Sequence, residues 1–166
     1  MDRTEYYLIL PLLLYGLAIA DLINSWRNLF LPERRYYPYI LTSVLLLETA
    51  FWNFFQMYGW METSSFASYL TYWKFILPPL TFLVIVSVFT PDTSNVNIKE
   101  YFLDNMRIIF GGLIVFVALH LLLEPTHNLP TRLGVIVLLA VTAISKKIWL
   151  IYVIAIFRIV TLILFT

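Results

Sequence analysis

The chain contains no cysteine, only two histidines among 166 residues, and few charged residues, which make up 13%. Without cysteine the protein cannot form disulfides, use a thiolate nucleophile or hold a metal through sulfur. A net charge of +1 excludes the basic surface with which proteins bind nucleic acid. Walker, GxSxG, HExxH and redox motifs are also missing from the sequence, so we predict neither an enzymatic activity nor a bound cofactor.

Apolar residues dominate what remains. They make up 61% of the chain, and the mean hydropathy is +0.83. Both values are far above those of soluble domains and predict a polytopic membrane protein. The longest polar stretch is only 90–107, which leaves no room for a second, soluble domain. We therefore treat 1–166 as a single transmembrane domain.

A bilayer-spanning helix needs about 20 apolar residues. The sequence predicts an all-α transmembrane bundle of six spans, at about 6–26, 38–60, 66–89, 106–124, 132–145 and 148–166. As one helix, 132–166 would be ~50 Å long, too long for ~30 Å of hydrocarbon, so we divide it at Lys146–Lys147. Because no Gly or Pro marks that turn, five spans with a long tilted last helix is the alternative.

Two local signals concern the ends and the shape of these spans. Ser94 or Asn95 is predicted to cap a short interfacial helix that leads into the fourth span. Pro78 and Pro79, near the middle of the third span, remove two backbone donors and predict a helix kink.

Small residues predict where helices pack closely. Gly16 and Ala20 form a small-xxx-small pair on the first span, which allows another helix to approach. Gly111 and Gly112 lie in the fourth span without polar neighbours, so we interpret them as a packing notch and not as a phosphate cradle.

The positive charges predict how the bundle is oriented. With six spans, seven basic residues lie on one side and two on the other; the seven are Arg27, Arg34, Arg35, Lys99, Arg107, Lys146 and Lys147, and the two are Arg3 and Arg132. The basic side of a membrane protein faces the cytoplasm. Both termini are therefore predicted to lie outside.

Several short motifs carry a resemblance. They are Glu5–Tyr6, the first-span segment 16–22 (GLAIADL), the Arg-bearing loop 27–37, the aromatic FWNFF at 51–55, and the basic turn 145–147. This layout resembles a widespread family of small six-span bacterial integral membrane proteins. The resemblance implies a six-span topology in the bacterial inner (cytoplasmic) membrane. It implies no activity, substrate or catalytic residue.

The second span has a polar side. Thr42, Thr49, Asn53 and Gln56 fall within an arc of roughly 60° at ~100° per residue, with Glu48 at its edge. An amphipathic span needs something polar to face. This side is the main indication of an intramembrane site.

Glu48 and Arg158 are predicted to form an ion pair inside the bundle. Counted from Tyr37 and from Lys147, each lies 11 residues into its span. Both are thus roughly 16 Å deep, where an isolated charge costs several kcal/mol. The pair is interpreted either as a clamp that fixes helix register or as a solute or proton site.

Lys74 lies in the outer third of the third span, at about the depth of Asn53 and Gln56. Its ammonium can hydrogen-bond to those two side chains, reach towards Glu48, or extend to the membrane surface. Interrupted helices beside polar groups are typical of transporter binding sites, and also of ordinary kinked spans.

Three further polar residues are secondary candidates: Asp21, ~9 Å inside the membrane boundary, and His120 with Glu124 at the end of the fourth span. Asp21 is either paired with a basic side chain or hydrated. His120 and Glu124 share a helix face and, with His127, have the residue types of a metal site. Pro125 breaks the helix before His127, so no metal site is predicted.

Two functions fit these observations. The short loops and the lack of motifs favour a non-catalytic membrane subunit or oligomer-forming protein. Its predicted partners are the lipid bilayer and either another membrane protein or further copies of itself. The alternative is a channel or transporter for an ion or small solute, which uses the polar cluster around Glu48, Lys74 and Arg158. A membrane enzyme is disfavoured, because only His120 with Glu124 offers chemistry.

Overall fold

Six α-helices and no strand make up the parts of the chain that a computed structural model describes, which are residues 3–29, 35–63, 69–91, 96–123 and 129–165. The helices are α1 (Arg3–Leu29), α2 (Tyr37–Thr63), α3 (Tyr69–Phe89), α4 (Ile98–Leu123), α5 (Leu129–Ser145) and α6 (Trp149–Phe165). The predicted all-α bundle is confirmed.

Helix length separates the six into two groups. By length and composition, α1 to α4 can each cross a membrane. Helices α5 and α6 have 17 residues each, or ~26 Å, slightly less than a ~30 Å hydrocarbon layer. The chain is a multi-pass membrane protein. Because α5 and α6 are separate helices, the alternative with one long final helix is wrong.

Helix α4 begins earlier than predicted. It is continuous from Ile98, so the predicted interfacial helix and the fourth span, predicted from about 106, form one helix. The capping residue is Asn97, whose Oδ1 accepts hydrogen bonds from the N–H groups of Lys99 and Glu100, at 3.1 and 3.5 Å. Ser94 and Asn95, the predicted caps, lie outside the described residues.

The turn between α5 and α6 is made without glycine. Lys146 adopts a left-handed conformation, with φ of 51°, which usually selects Gly or Asn at a helix C-terminus. Its N–H donates to Thr142 O at 3.0 Å, and its Nζ donates to Leu103 O of α4 at 2.9 Å. The side chain therefore ties the turn to a neighbouring helix.

The helices are arranged as a ring in which α2 and α4 approach each other across the middle. Helix α1 packs against α2 and α3, α3 against α4, α4 against α5, α5 against α6, and α6 against α2. The contact between α2 and α4 divides the ring into two halves. One half is bounded by α1 to α4 and the other by α2, α4, α5 and α6.

The half between α1 and α4 is filled by aromatic side chains. The rings of Tyr39 and Phe89 stack at 4.2 Å between centroids, and Phe102 meets both edge-on at 5.8 and 6.2 Å. Further along, Phe82 and Phe116 lie 5.3 Å apart. All five side chains are buried, so this half is a packed core.

Of the glycines predicted to allow close helix packing, one lies at a tight contact and two do not. A Cβ at Gly112 would lie 2.7 Å from Ile85 Cγ1, so α4 packs tightly on α3 at this position, as the notch predicts. At Gly111 and at Gly16, no atom of the described chain lies within 4 Å of such a Cβ. Gly16 and Ala20 are exposed, so their predicted helix contact is not made among the described residues.

Two ends of the bundle can be distinguished. The hydrogen bond from Trp26 Nε1 to Ser43 Oγ, at 2.6 Å, brings the end of α1 to the start of α2. The contacts of Tyr39 and Lys146 bring the end of α3, the start of α4 and the end of α5 to the same place. We call this the basic end; it carries Arg35, Lys99, Lys146 and Lys147. At the opposite, far end, α2, α4 and α6 finish and α5 begins.

Candidate functional site: a cavity between four helices

A cavity of about 620 Å³ lies in the half of the ring between α2, α4, α5 and α6. This volume is within the roughly 300–1,000 Å³ of small-molecule sites. Along α2 its wall extends from Thr42 to Gly59, which is ~25 Å of helix at 1.5 Å per residue. The cavity therefore follows most of the thickness of a hydrocarbon layer.

The polar side of α2 faces this cavity. Thr42, Thr49, Asn53 and Gln56, predicted to share one arc, all line it. Two of them are held by carbonyls of their own helix: Asn53 Nδ2 donates to Thr49 O at 2.7 Å, and Thr42 Oγ1 donates to Pro38 O at 2.8 Å. Each bond satisfies one donor of its side chain within the helix, and the Asn53 amide keeps further hydrogen-bonding capacity.

Glu48 and Arg158 form the predicted ion pair. Arg158 Nε donates to Glu48 Oε2 at 2.7 Å, and Nη2 donates to Oε1 at 2.8 Å. The exposed fractions of the two side chains are 30% for Arg158 and 29% for Glu48. Arg158 also lines the cavity. This two-pronged bond joins α2 to α6 and neutralises both charges at mid-helix.

Trp52 supports the same arginine, and sequence reasoning missed it. Its ring centroid lies 5.6 Å from Arg158 Cζ, a cation–π distance. The available signal was spacing, because Trp52 follows Glu48 by four positions and so lies on the same face of α2. Within α6, Thr161 Oγ1 donates to the backbone carbonyl of Arg158 at 2.8 Å.

A second polar group lines the cavity near the far end. Arg132 Nη1 donates to His120 O at 3.0 Å, which joins the start of α5 to the end of α4. His120 is buried, and its Nδ1 lies 2.8 Å from Phe116 O, so Nδ1 carries the proton and donates. Thr131 lies beside Arg132 on the wall. Of these residues, only His120 was a candidate from its sequence position.

The metal ligands considered from the sequence are only partly covered by the described residues, which include His120. Among the described residues, no three His, Cys, Asp or Glu side chains form a group able to hold a metal ion. Glu124 and His127 lie outside those residues.

Lys74 does not join the cluster, which corrects the prediction. It is exposed on α3, and α3 has α1 and α4 as its ring neighbours, while α2 lies on the other side of the aromatic core. Within the described chain, Lys74 is not part of the cavity wall. Pro78 and Pro79 are buried in α3, which continues through both, and neither lines the cavity.

Asp21 is exposed on α1 and lies apart from the cavity. Of the two lysines of the α5–α6 turn, which could reach Asp21 from the sequence, Lys146 donates its Nζ to Leu103 O. Asp21 belongs instead to the outward face of α1, together with Gly16, Leu17, Ala20 and Asn24.

Apart from Arg158, Thr161 and the polar group at the far end, the remaining walls of the cavity are apolar and come from α4, α5 and α6. They include Phe110, Leu113, Phe116, Val135, Leu139, Ile151 and Phe157. The cavity thus has one polar wall, on α2, that faces three largely apolar ones. This division into a polar and an apolar side is typical of sites that bind small molecules.

No protein-family model, curated protein or solved structure matches the chain.

Proposed function

We propose that this chain is a non-catalytic membrane protein that admits a small solute into the cavity between α2, α4, α5 and α6, as a channel or transporter does. The observation that carries this proposal is the polar side of α2, which faces a 620 Å³ space instead of another helix. Polar side chains inside a membrane are costly, and they mark solute pathways when they face a cavity.

The Glu48–Arg158 pair supports this proposal in two ways. It ties α2 to α6, the two helices that close one side of the cavity. It also leaves no net charge at the middle of the wall, so that neither an anion nor a cation is trapped there. In this account the pair braces the site, and the solute contacts the α2 amides and hydroxyls.

We place the protein in the bacterial inner membrane with its basic end in the cytoplasm. The excess of Lys and Arg at that end and the resemblance to six-span bacterial membrane proteins support this orientation. The polar group near the far end of the cavity then faces the outside, from which the solute arrives.

The proposal is tested by thiol labelling, for which a cysteine-free chain is well suited. Gln56→Cys puts a single thiol on the cavity wall, and Phe55→Cys puts one at the same depth on a side chain that is 75% exposed on the outer surface of the bundle. A membrane-impermeant maleimide reacts with the thiolate, which requires water. The reaction rate is measured in lipid vesicles.

We expect the thiol at position 56 to react much faster than the thiol at position 55. Because the two positions are adjacent, differences in depth do not explain such a result. Equal, slow rates at both positions would show a dry bundle and would contradict a solute pathway.

A second function, an oligomer-forming membrane subunit, is favoured by α1. Asp21 and Asn24 are exposed beside Gly16 and Ala20 on the outward face of the span Tyr6–Trp26. A carboxylate there costs several kcal/mol unless it is hydrated or covered by a partner helix.

The mass of the protein in mild detergent separates the two possibilities for α1. Ala20→Leu enlarges a small residue on this face, and Ala118→Leu makes the same change on the exposed face of α4. If α1 is an interface, only Ala20→Leu lowers the mass. A wild-type protein that is monomeric in detergent and in lipid would reject this second function.

A further inference from the structure

We infer that the cavity is selective for a small uncharged amide, which hydrogen-bonds to Asn53 and Gln56 of α2 while its apolar body lies against α4 and α5. This inference rests on the proposed function, because it requires the cavity to admit a solute. It adds the chemical class of that solute and the two side chains that recognise it.

Neutral hydrogen-bonding side chains lie along the middle of the α2 wall, between the two ends of the cavity. They are Thr49, Asn53 and Gln56. From Thr49 to Gln56 the helix rises ~10 Å at 1.5 Å per residue. Asn53 and Gln56 are three positions apart, so their amides are neighbours on one face of α2. One small solute can therefore contact both amides at the same time.

Asn53 keeps hydrogen-bonding capacity that its own helix does not use. The residue is only 6% exposed, and its Nδ2 donates to Thr49 O at 2.7 Å. Because a carbonyl accepts only from an N–H group, this bond fixes the orientation of the amide. It leaves Oδ1 as an acceptor and one N–H as a donor. A buried amide acceptor inside a membrane is costly unless a donor reaches it.

The combination of donors and acceptors in the two amides selects the solute. Gln56, like Asn53, carries both N–H donors and a carbonyl acceptor. A carboxylate offers only acceptors and would leave Asn53 Oδ1 without a donor. An ammonium group offers only donors and would leave the amide N–H groups unpaired. An uncharged amide carries a donor and an acceptor on one edge, so it can satisfy both side chains.

The ion pair beside these amides does not compete for the solute. Arg158 donates from Nε and Nη2 to the two oxygens of Glu48. The ring of Trp52 lies 5.6 Å from the guanidinium carbon. The carboxylate and most of the guanidinium edge are therefore occupied, and the solute is left with the neutral groups of α2 at this depth.

The opposite side of the cavity calls for an apolar body. Helix α5 lies across from α2 in the ring. Together with α4 it contributes Leu113, Val117, Val135 and Leu138 to the wall. Burial of apolar solute surface against these side chains is favourable. The cavity's 620 Å³ also corresponds to roughly 20 water volumes of ~30 Å³ each, far more than an amide group alone fills.

Benzamide is the probe that tests this inference, and acetophenone is its matched control. Acetophenone has the same shape, but a methyl group replaces the NH₂ donor. Binding is measured by equilibrium dialysis of the protein in nanodiscs, and empty nanodiscs give the partitioning into lipid that is subtracted. We expect saturable binding of benzamide. At equal membrane concentration acetophenone should compete about tenfold less effectively, because it cannot donate to Asn53 Oδ1.

Two further competitors test the charge and the apolar body of the solute. Benzoate replaces the amide by a carboxylate, and acetamide keeps the amide but lacks the ring. Each should compete at least about tenfold less effectively than benzamide. Stronger competition by benzoate would show an anion site. Competition by acetophenone or acetamide as effective as that by benzamide would show that the donor or the apolar body is not recognised. Each of these results would overturn the inference.

Asn53→Leu removes the buried amide, and Asn105→Leu is the matched control. Asn105 Nδ2 donates to Tyr101 O at 3.0 Å, the same bond to the fourth preceding residue, but within the described chain Asn105 is not part of the cavity wall. We expect Asn53→Leu to weaken benzamide binding about tenfold and to abolish the preference over acetophenone. Asn105→Leu should leave both unchanged.

Gln56→Met removes the second amide at nearly constant volume and decides the same question if Asn53→Leu does not fold. It too should weaken benzamide binding about tenfold. A cavity-wall variant that folds and binds benzamide as tightly as the wild type, with the same preference over acetophenone, would refute the role of its amide in recognising the solute.

The two proposals fail differently. A reactive thiol at position 56 without saturable benzamide binding would leave a hydrated pathway and reject the amide as its solute. Saturable binding that prefers benzamide to acetophenone, together with an unreactive thiol, would support the amide and reject an open aqueous pathway. The absence of both would reject the cavity as a site.

Discussion

Arg158 donates two hydrogen bonds, of 2.7 and 2.8 Å, to the carboxylate of Glu48, across 110 positions of sequence. This bond joins the second helix to the last one and closes the ring of helices on the cavity side. Glu48 is 11 residues after Tyr37, the first residue of α2, and Arg158 is 9 residues after Trp149, the first residue of α6, so both charges lie well inside their helices.

Breaking this pair on one side should destabilise the protein. Glu48→Gln leaves Arg158 uncompensated in the membrane. Removal of one partner from a buried pair costs about 3–5 kcal/mol; because each side chain is about 30% exposed, we expect about 1–3 kcal/mol. The double variant Glu48→Gln, Arg158→Gln should cost less than the sum of the two single variants. Unfolding in mixed micelles measures this difference, and additive costs would exclude the pair as a stabilising link.

The α3–α4 contact should depend on one glycine of the two in the notch. Gly112→Ala puts a methyl group 2.7 Å from Ile85 Cγ1 and requires Ile85 to move, which typically costs about 1–3 kcal/mol. Gly111→Ala meets no described atom within 4 Å and serves as the control, which gains only the helix propensity of alanine, about 0.5–1 kcal/mol of stabilisation. Thermal unfolding in detergent compares the two variants. Equal effects would contradict the packing of α4 on α3 seen here.

The α5–α6 turn should tolerate glycine and reject valine. At a φ of 51° a β-branched residue is strained, so Lys146→Val should destabilise the protein by about 1–3 kcal/mol. Lys146→Gly relieves the backbone but loses the bond to Leu103 O, and these opposing effects of about 1 kcal/mol should nearly cancel. If Lys146→Val is as stable as Lys146→Gly, the turn has another conformation.

Two buried tyrosines should respond oppositely to loss of the hydroxyl. The Tyr15 hydroxyl is buried without a hydrogen-bond partner among the described residues, so Tyr15→Phe should be neutral or stabilising, by up to about 1–3 kcal/mol. Tyr39 OH donates to Phe89 O at 3.3 Å, so Tyr39→Phe should destabilise by about 0.5–1.5 kcal/mol. A clear loss of stability in Tyr15→Phe would reveal a partner for that hydroxyl.

The sequence could predict the ion pair because depth in a membrane can be counted. Helix rise fixes how far Glu48 and Arg158 lie from the polar ends of their spans, and the cost of an isolated charge predicts a partner at equal depth. The polar arc on α2 was predictable for a different reason, because helix periodicity fixes which side chains share a face. That the arc faces a cavity was not predictable, because no other helix carries a matching polar side.

Sequence reasoning fell short where a contact depends on which helices are neighbours in the bundle. Lys74 has the right depth to meet Asn53, but α3 lies beside α1 and α4 in the ring, and depth alone does not give a helix its neighbours. The turn at Lys146 carries no glycine because the Lys146 side chain compensates through Leu103 O, a tertiary contact. Arg132 was missed as a site residue because its position at the start of α5 predicts a surface charge, whereas its guanidinium turns to His120 O.

The most direct test of the central claim, that the cavity is the path to the polar side of α2, combines labelling with filling. In the Gln56→Cys protein, Val135→Phe narrows the cavity from α5, and Val137→Phe is the matched control on the exposed side of the same helix. The maleimide reaction rate is measured for both variants in vesicles. We predict that Val135→Phe slows the reaction severalfold and that Val137→Phe leaves it unchanged; equal rates in the two variants would contradict the account.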